Sequence, residues 1–303
     1  MIRTVRPGEL DSCTDLAGAT GDRNVAARAT LRGYLAQGTT RPEWCFVAEE
    51  DGRTVGHVVL WSTPGNDVPL DLILVEAGPD DTGRALLDHA AEYARAHGGT
   101  RLGHALDHPV ASAHASVEER RALLESAGFS LARDGMRWRW TAGSPVPADT
   151  SGLRWASMPE VGREAFVDAL EHVVVDTADS WIRLEIAEHG VRRAGEILLE
   201  GCEGMRHEPG WFEIGYAGDS PAAVSLPAAN PNVSVLGFVG VTVGHRGRGY
   251  ATAVVARGTG ILAAAGVAEI RADCDRFNPA MVRAFRRAGY ENFVSRLDYA
   301  KAL

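Results

Sequence analysis

The fold is decided by one stretch of the sequence, Val241-Thr242-Val243-Gly244-His245-Arg246-Gly247-Arg248-Gly249-Tyr250-Ala251. An apolar strand pattern leads into a glycine-rich loop, and a helix pattern follows with apolar residues at a period of 3.6. Glycines let the backbone approach a ligand closely, and the free N–H groups of the loop and first helical turn point toward an anion. Arg246 and Arg248 add donors suited to phosphate oxygens. The stretch therefore predicts a site for a diphosphate-bearing cofactor.

The spacing of the loop residues separates this site from common nucleotide-binding patterns. The loop is not a P-loop, because no Gly-Lys-Ser/Thr follows, and it lacks the G-x-G-x-x-G spacing. Arg246-x-x-Gly249-x-Ala251 after an apolar strand resembles the acetyl-CoA-binding signature of the GNAT N-acetyltransferase family. Asn278 at the start of the last helix and Gly289-Tyr290 at its end resemble a later motif of that family.

The resemblance implies acetyl-CoA as co-substrate and a binding mode for it. The strands at residues 233–243 and 269–274 would splay apart, and the pantetheine arm would enter the gap. Backbone amides near the loop would hold the pyrophosphate, and an amine would attack the thioester directly. The residues carried over as cofactor-binding are Val241, Thr242, Val243, Arg246, Gly247, Arg248, Gly249, Tyr250, Ala251 and Asn278.

The catalytic residues remain open at this stage. An ammonium substrate must lose a proton before it attacks, and the candidates for the general base are Asp273, Asp275 and Glu213, each with a structural alternative. Phe285 stands where many family members carry a Tyr that protonates the leaving thiolate, and a phenyl ring has no proton to give. Either the thiolate leaves unassisted or another group, such as the hydroxyl of Tyr290 or Tyr250, donates.

Composition narrows the class of partner. The 303 residues are 45% hydrophobic and 23% charged, and 31 Lys and Arg face 40 Asp and Glu, for a formal charge of −9. This balance argues against nucleic acid as a partner and is compatible with a cationic amine. No apolar run approaches the ~20 residues that span a membrane, and the scattered cysteines fit a cytoplasmic protein with reduced thiols. His104, His108 and His114 with Asp107 predict a strand end rather than a metal site.

The predicted elements follow the order β, α, α, β, β, β, α, β, α, β in each half, with a hairpin turn at Asp51-Gly52 in the first half. This repeat after about 150 residues predicts two domains of the α/β (α+β) class. Each would be GNAT-like, with a mixed central sheet flanked by helices. Residues 1–141 would form the first domain, residues 142–150 a linker and residues 151–303 the acetyl-CoA-binding domain. In the first domain Pro79, Asp80 and Asp81 stand where the cofactor loop should be. A proline lacks a backbone donor and the carboxylates would repel a pyrophosphate, so this domain is expected not to bind cofactor.

The sequence therefore predicts an acetyl-CoA-dependent N-acetyltransferase acting on the amine of a small molecule. A protein N-acetyltransferase and a non-catalytic CoA-binding sensor or scaffold are the alternatives. A tandem of this kind is expected to act as a monomer, with its two domains forming a pseudo-dimer, or as a homodimer.

Overall fold

A computed structural model describes residues 1–6, 8–145 and 148–303; Val146 and Pro147 of the predicted linker lie outside the described residues. The strands are β1 (Ile2–Thr4), β2 (Cys45–Glu50), β3 (Arg53–Trp61), β4 (Asp71–Glu76), β5 (Arg101–His108), β6 (Ser130–Thr141), β7 (Arg154–Ser157), β8 (Glu213–Ala217), β9 (Ser220–Ala229), β10 (Ser234–Val241), β11 (Glu269–Asp275) and β12 (Glu291–Ala302). The α-helices are α1 (Gly21–Ala36), α2 (Asp81–Ala96), α3 (Val117–Ser126), α4 (Met158–Val161), α5 (Arg163–Val174), α6 (Ser180–His189), α7 (Val191–Glu203), α8 (Tyr250–Ala264) and α9 (Pro279–Arg287). From the second strand of each half onward, the order predicted from sequence is confirmed as three strands, a helix, a strand, a helix and a strand. The two helices predicted before that strand are not confirmed, since the described residues form one α-helix there in the first half, α1, and four in the second, α4 to α7.

The chain forms two compact units whose limits differ from those of the two sequence halves. Unit 1 contains Met1–Arg133 and Arg296–Leu303, and unit 2 contains Asp134–Ser295. The reason is that the last strand of each half contributes to the other unit. Strand β6 comes from the first half, yet it pairs antiparallel with β11 of unit 2, with Trp140 opposite Ile270.

Unit 1 has a mixed sheet with helices on both faces. The strand order is β1-β2-β3-β4-β5-β12, and the β4–β5 pair is parallel. Successive residues of β2 face opposite sides, since Phe46 packs in the cluster that holds α2 and α3 while Val47 packs in the cluster that holds α1. Asp51 and Gly52, between β2 and β3, both have positive φ, at 47° and 72°, as the predicted two-residue hairpin turn requires.

Unit 2 repeats this layering with the strand order β6-β11-β10-β9-β8-β7. Helices α5 and α7 cover one face, where Val224 of β9 lies in their core cluster. Helix α8 covers the other face, where the adjacent Ala223 contacts the cluster of Val254.

Strands β10 and β11 separate part-way along their length, as the sequence predicts. Their parallel pairing joins Ser234 to Ile270 and Val235 to Arg271, and both strands then continue toward their carboxyl ends. A bulge in β10 between Leu236 and Phe238 coincides with the start of the separation. Gly237 fits this bulge because a Cβ there would lie 2.9 Å from the Leu226 carbonyl oxygen. The separation opens a cleft between two strands at the centre of the sheet of unit 2.

Candidate functional site

The glycine-rich loop lies directly beyond the end of β10, at the mouth of this cleft. Gly247 and Gly249 adopt left-handed φ values of 78° and 85°, and a Cβ on either would meet no atom within 4 Å. Helix α8 begins at Tyr250, and among the described residues no side chain caps its first turn. No described side chain therefore competes for the N–H groups at the positive end of the helix dipole, which is the arrangement that anions bind.

The backbone of β10 offers a hydrogen-bonding edge inside the cleft. The N–H of Thr242 donates to the Ala222 carbonyl of β9 at 2.9 Å. Because successive residues of a strand direct their N–H groups to opposite sides, the N–H groups of Val241 and Val239 and the carbonyl of Val239 point away from β9, toward the cleft. The carbonyl of Val241 points the same way and accepts from Nε of Arg246 at 3.3 Å. An extended ligand arm there could be bound as an added strand would be. The side chain of Thr242 does not reach the cleft, because it is buried and its hydroxyl donates to the Pro221 carbonyl at 3.1 Å.

The side chain of Arg246 has a structural role that the sequence did not predict. Its Nη2 donates to the carbonyls of Val173 and Val175 at 2.8 and 2.7 Å, and its Nη1 donates to the Asp176 carbonyl at 3.0 Å. Its Nε donates to the Val241 carbonyl at 3.3 Å. The guanidinium therefore binds the carbonyl end of α5, where helical carbonyls lack intrahelical partners, instead of being directed at a phosphate.

Two other predicted cofactor residues lie beside the cleft. Arg248 is exposed, and its Nη2 makes a 3.5 Å contact with the Gly244 carbonyl, so its guanidinium can turn toward an anion on the loop. Asn278 caps α9, because its Oδ1 accepts from the N–H of Met281 at 3.2 Å. Its amide nitrogen is the group left to bind a cofactor arm.

Glu213 is engaged in an ion pair. It is 7% exposed, and its two carboxylate oxygens accept from Nε and Nη2 of Arg257 at 2.5 and 2.6 Å. Arg257 comes from α8, which packs on the sheet face opposite α5 and α7. Because both carboxylate oxygens are engaged by the Arg257 guanidinium, the geometry does not favour Glu213 as a general base.

The two aspartates of β11 have different surroundings. Asp275 is 4% exposed, and its Oδ2 accepts from the backbone N–H and the hydroxyl of Ser180 at 3.0 and 2.6 Å. It therefore holds the first residue of α6 rather than the start of α9. Asp273 is exposed and pairs with Nε of Arg137 at 3.2 Å. Of the three predicted bases, Asp273 is the one with the most solvent access.

The position of the expected proton donor lies inside the core. Phe285 is 1% exposed and stacks on Trp138 with ring centroids 5.5 Å apart. Tyr290 does not replace the missing hydroxyl at the surface, because it is buried and its own hydroxyl is 2.8 Å from Oγ1 of Thr259. Burial also raises the pKa of Tyr290 above its usual range. Cys274 accepts a hydrogen bond from the indole of Trp138 at 3.2 Å and is a core residue.

Part of unit 2 matches the model of a known protein family. Residues 187–290 match the model of the acetyltransferase (GNAT) family. The chain therefore contains a GNAT-family domain. The match covers the loop, α8, β11 and α9, so the segments that carry the candidate cofactor site are those of the GNAT domain. GNAT acetyltransferases use acetyl-CoA and act on amines.

The similarity of fold extends beyond the GNAT domain to the whole chain. A GCN5-related N-acetyltransferase from Sphaerobacter thermophilus superposes with a TM-score of 0.61 at 17% identity, covering 100% of this chain and 95% of the other. A tandem GNAT protein from the clavulanic acid biosynthesis pathway gives a TM-score of 0.50 at 20% identity, covering 97% and 94%. A mycothiol acetyltransferase from Clavibacter michiganensis subsp. michiganensis is 25% identical over 279 residues, 86% of this chain and 81% of its own length.

The corresponding position in unit 1 is filled by protein groups. At the end of β4, the buried carboxylate of Glu76 accepts from the N–H of Ala115 at 3.0 Å and from Nδ1 of His114 at 3.1 Å. It also pairs with Arg23. Burial acts to raise the pKa of Glu76, but these hydrogen bonds and the charge of Arg23 outweigh it and lower the pKa. A buried carboxylate therefore occupies the place that β10 of the GNAT domain leaves open.

The start of α2 is also closed. Asp80 caps this helix, as the sequence predicts, because its Oδ1 accepts from the N–H of Gly83 at 2.9 Å. Within the described part of the chain, no group of three or more His, Cys, Asp and Glu side chains could hold a metal ion. None of the helices in this described part has both the length and the apolar character needed to cross a membrane.

Proposed function

We propose that unit 2 binds acetyl-CoA and transfers its acetyl group to the amine of a small molecule, and that unit 1 binds no cofactor. The observation that carries the proposal is the separation of β10 from β11 directly beside the uncapped start of α8. The cleft has the strand edge that an extended arm needs, and the loop has the amides that a diphosphate needs. Gly247 and Gly249 keep the loop open for close approach.

In this proposal the residues of the chain mainly position the cofactor and stabilise charge, and they contribute less to acid–base catalysis. When bound, acetyl-CoA supplies the acetyl group and the thiolate leaving group. The amides of residues 246–251 and the exposed guanidinium of Arg248 hold the phosphates. The N–H of Val241, directed into the cleft, is placed to stabilise negative charge on an acyl oxygen. Asp273 is the predicted base that has solvent access, so it is the candidate for taking the ammonium proton.

A small-molecule acceptor is supported by the kind of relative that the chain resembles. The mycothiol acetyltransferase covers most of the chain at 25% identity, which is the basis for preferring a small amine to a protein N-terminus. The formal charge of −9 favours the approach of a cationic acceptor.

The second candidate function is CoA binding without turnover. Specific observations favour it: Phe285 replaces the usual proton donor and is buried, and Glu213 and Asp275 are both committed to hydrogen bonds within the fold. A protein with these features would retain the cofactor and release no CoA. The two candidate functions therefore predict the same binding of acetyl-CoA and differ only in whether CoA is released.

The test is thiol release from acetyl-CoA in the presence of glucosamine, spermidine, lysine or an unblocked dipeptide. We expect at least one of these amines to raise CoA release above the amine-free rate. The matched variants are Gly249→Val and Gly266→Val. Both glycines have positive φ, at 85° and 76°, but Gly266 follows the far end of α8, so only the first variant should abolish release. Acetyl-CoA binding with no release for any amine would favour the second candidate.

A further inference from the structure

The connection between α5 and α6 is held to both of the separated strands. Residues 175–179, which we call the strap, begin after the last residue of α5. At its start, the carbonyls of Val175 and Asp176 accept from the guanidinium of Arg246, which follows β10. At its end, Ser180 donates twice to Asp275, the last residue of β11. The strap therefore joins the carboxyl ends of the two strands whose separation forms the cleft.

The bonding of Arg246 leaves little capacity for a phosphate. A guanidinium has five N–H donors. Four of them donate to backbone carbonyls. Three of these carbonyls belong to α5 and the strap, at Val173, Val175 and Asp176, and the fourth belongs to Val241 of β10. A phosphate could be bound only by breaking these contacts. Arg248, two residues further on, makes one hydrogen bond among the described residues, a 3.5 Å contact to the Gly244 carbonyl.

The residues around the strap hold its backbone in an uncommon conformation. Asp176 has a φ of +50°, in the left-handed region that residues other than glycine adopt infrequently. Such a conformation persists when the surrounding structure determines it, and it concentrates at functional sites. Here the surrounding structure is Arg246, which binds the carbonyl of Asp176 itself. The same guanidinium thus fixes the strap and the end of the helix before it.

We propose that Arg246 and Asp275 are positioning residues that hold the strap across the open ends of β10 and β11, and that Arg246 does not bind the cofactor phosphates. The strap would then form a fixed wall at the side of the cleft from which an amine reaches the thioester. This deepens the proposed function and rests on it for its catalytic consequence. The claim that Arg246 orders the strap can be tested on the protein without any ligand.

The first test is hydrogen–deuterium exchange of the backbone amides of residues 176–183 in the protein without ligand. Arg246→Gln should raise their exchange at least tenfold, and Asp275→Ala should do so from the other end of the strap. Arg248→Gln, the matched control on the same loop, should change it less than twofold. The amides of α8 serve as an internal reference for folding. Equal exchange of the strap in Arg246→Gln and wild type, with α8 unchanged, would overturn the proposal.

The second test separates phosphate binding from positioning by calorimetry with acetyl-CoA and by kinetics. Arg248→Gln should weaken acetyl-CoA binding at least fivefold, whereas Arg246→Gln should weaken it less than threefold. With whichever of the four amines the wild type acetylates fastest, Arg246→Gln should raise the KM for the amine at least fivefold more than that for acetyl-CoA, and Arg246→Lys should recover part of the loss. Equal losses of acetyl-CoA affinity in Arg246→Gln and Arg248→Gln would place the Arg246 guanidinium on the phosphates and overturn the proposal. If the wild type fails to bind acetyl-CoA, the proposed function fails, while the exchange experiment still decides the role of Arg246.

Discussion

The carboxylate of Asp80 lies 2.9 Å from the N–H of Gly83 and caps α2 in unit 1, at the position where Gly249 leaves α8 of unit 2 without a side-chain cap. The residue at this position therefore determines whether a side chain of the protein caps the helix. Asp80→Ala should lower the free energy of unfolding by about 1 kcal/mol, since a cap is lost, and should create no acetyl-CoA site because Glu76 still fills the adjacent position.

Chemical denaturation and calorimetry measure these two outcomes. Thr20→Ala is the control, because Thr20 caps α1 of the same unit through Arg23 and its loss should have a similar effect on stability. A second equivalent of acetyl-CoA bound by Asp80→Ala would show that the cap alone closes unit 1.

Glu213 is expected to act in folding and not in catalysis. Glu213→Gln removes the charge from a paired carboxylate, so we predict a loss of about 1–2 kcal/mol of stability and a kcat within threefold of wild type. Steady-state kinetics over a pH range and thermal denaturation measure both effects. Glu291→Gln, which breaks the exposed pair with Arg139, should change neither by much. A loss of kcat above one hundredfold with a flattened pH profile would instead identify Glu213 as the base.

Replacement of Phe285 by tyrosine tests how the thiolate leaves. The ring lies in the core against Trp138, so Phe285→Tyr buries a hydroxyl and should cost about 1–3 kcal/mol of stability while leaving kcat within threefold. Tyr290→Phe, which removes the hydroxyl bonded to Thr259, should also leave kcat unchanged. A tenfold gain in kcat in Phe285→Tyr would mean that a proton donor at this position limits the rate, contrary to our account.

Unit 1 should lose stability in acid because of a buried histidine. His57 is 2% exposed, and neither ring nitrogen has a hydrogen-bond partner among the described residues. Burial lowers the pKa of His57 to about 4, below the ~6.5 of an unfolded chain. Between these values the unfolded state binds more protons, so the contribution of His57 to stability falls as pH falls from 6.5 toward 4.

His57→Leu should therefore reduce the loss of stability between pH 7 and pH 4.5 by about 2 kcal/mol. Urea denaturation at the two pH values measures the difference, and the exposed His172 provides His172→Leu as a control. Part of the acid sensitivity should remain, because burial also lowers the pKa of His104 to about 3. Identical pH dependence in His57→Leu and wild type would rule out this histidine as the cause.

The sequence predicts those features that depend on neighbours along the chain. The hairpin turn at Asp51-Gly52 was predicted from those two residues alone, and the cap of α2 by Asp80 likewise involves residues three positions apart. What it does not predict are contacts between distant residues. Arg246 binds carbonyls 70 to 73 positions away, and Glu213 pairs with Arg257 over 44 positions. The residue types suggested that Arg246 could bind a phosphate and that Glu213 could accept a proton, but they did not indicate which distant group each side chain contacts.

The division into units shows the same limit. Strand β6 was expected to complete the first half because it follows α3 in the chain, but its apolar residues Trp138 and Trp140 pack with Ile270 and Phe285 in unit 2. The alternation of apolar residues along a strand predicts which side chains are buried, but it does not predict which of the two units buries them.

The central claim is a single acetyl-CoA site located in unit 2, and isothermal titration calorimetry with acetyl-CoA tests it most directly. We predict one equivalent bound per chain in the wild type and in Gly266→Val, and no measurable binding in Gly249→Val, whose side chain would be forced into a left-handed backbone at the start of α8. Two equivalents in the wild type, or undiminished binding in Gly249→Val, would contradict the account.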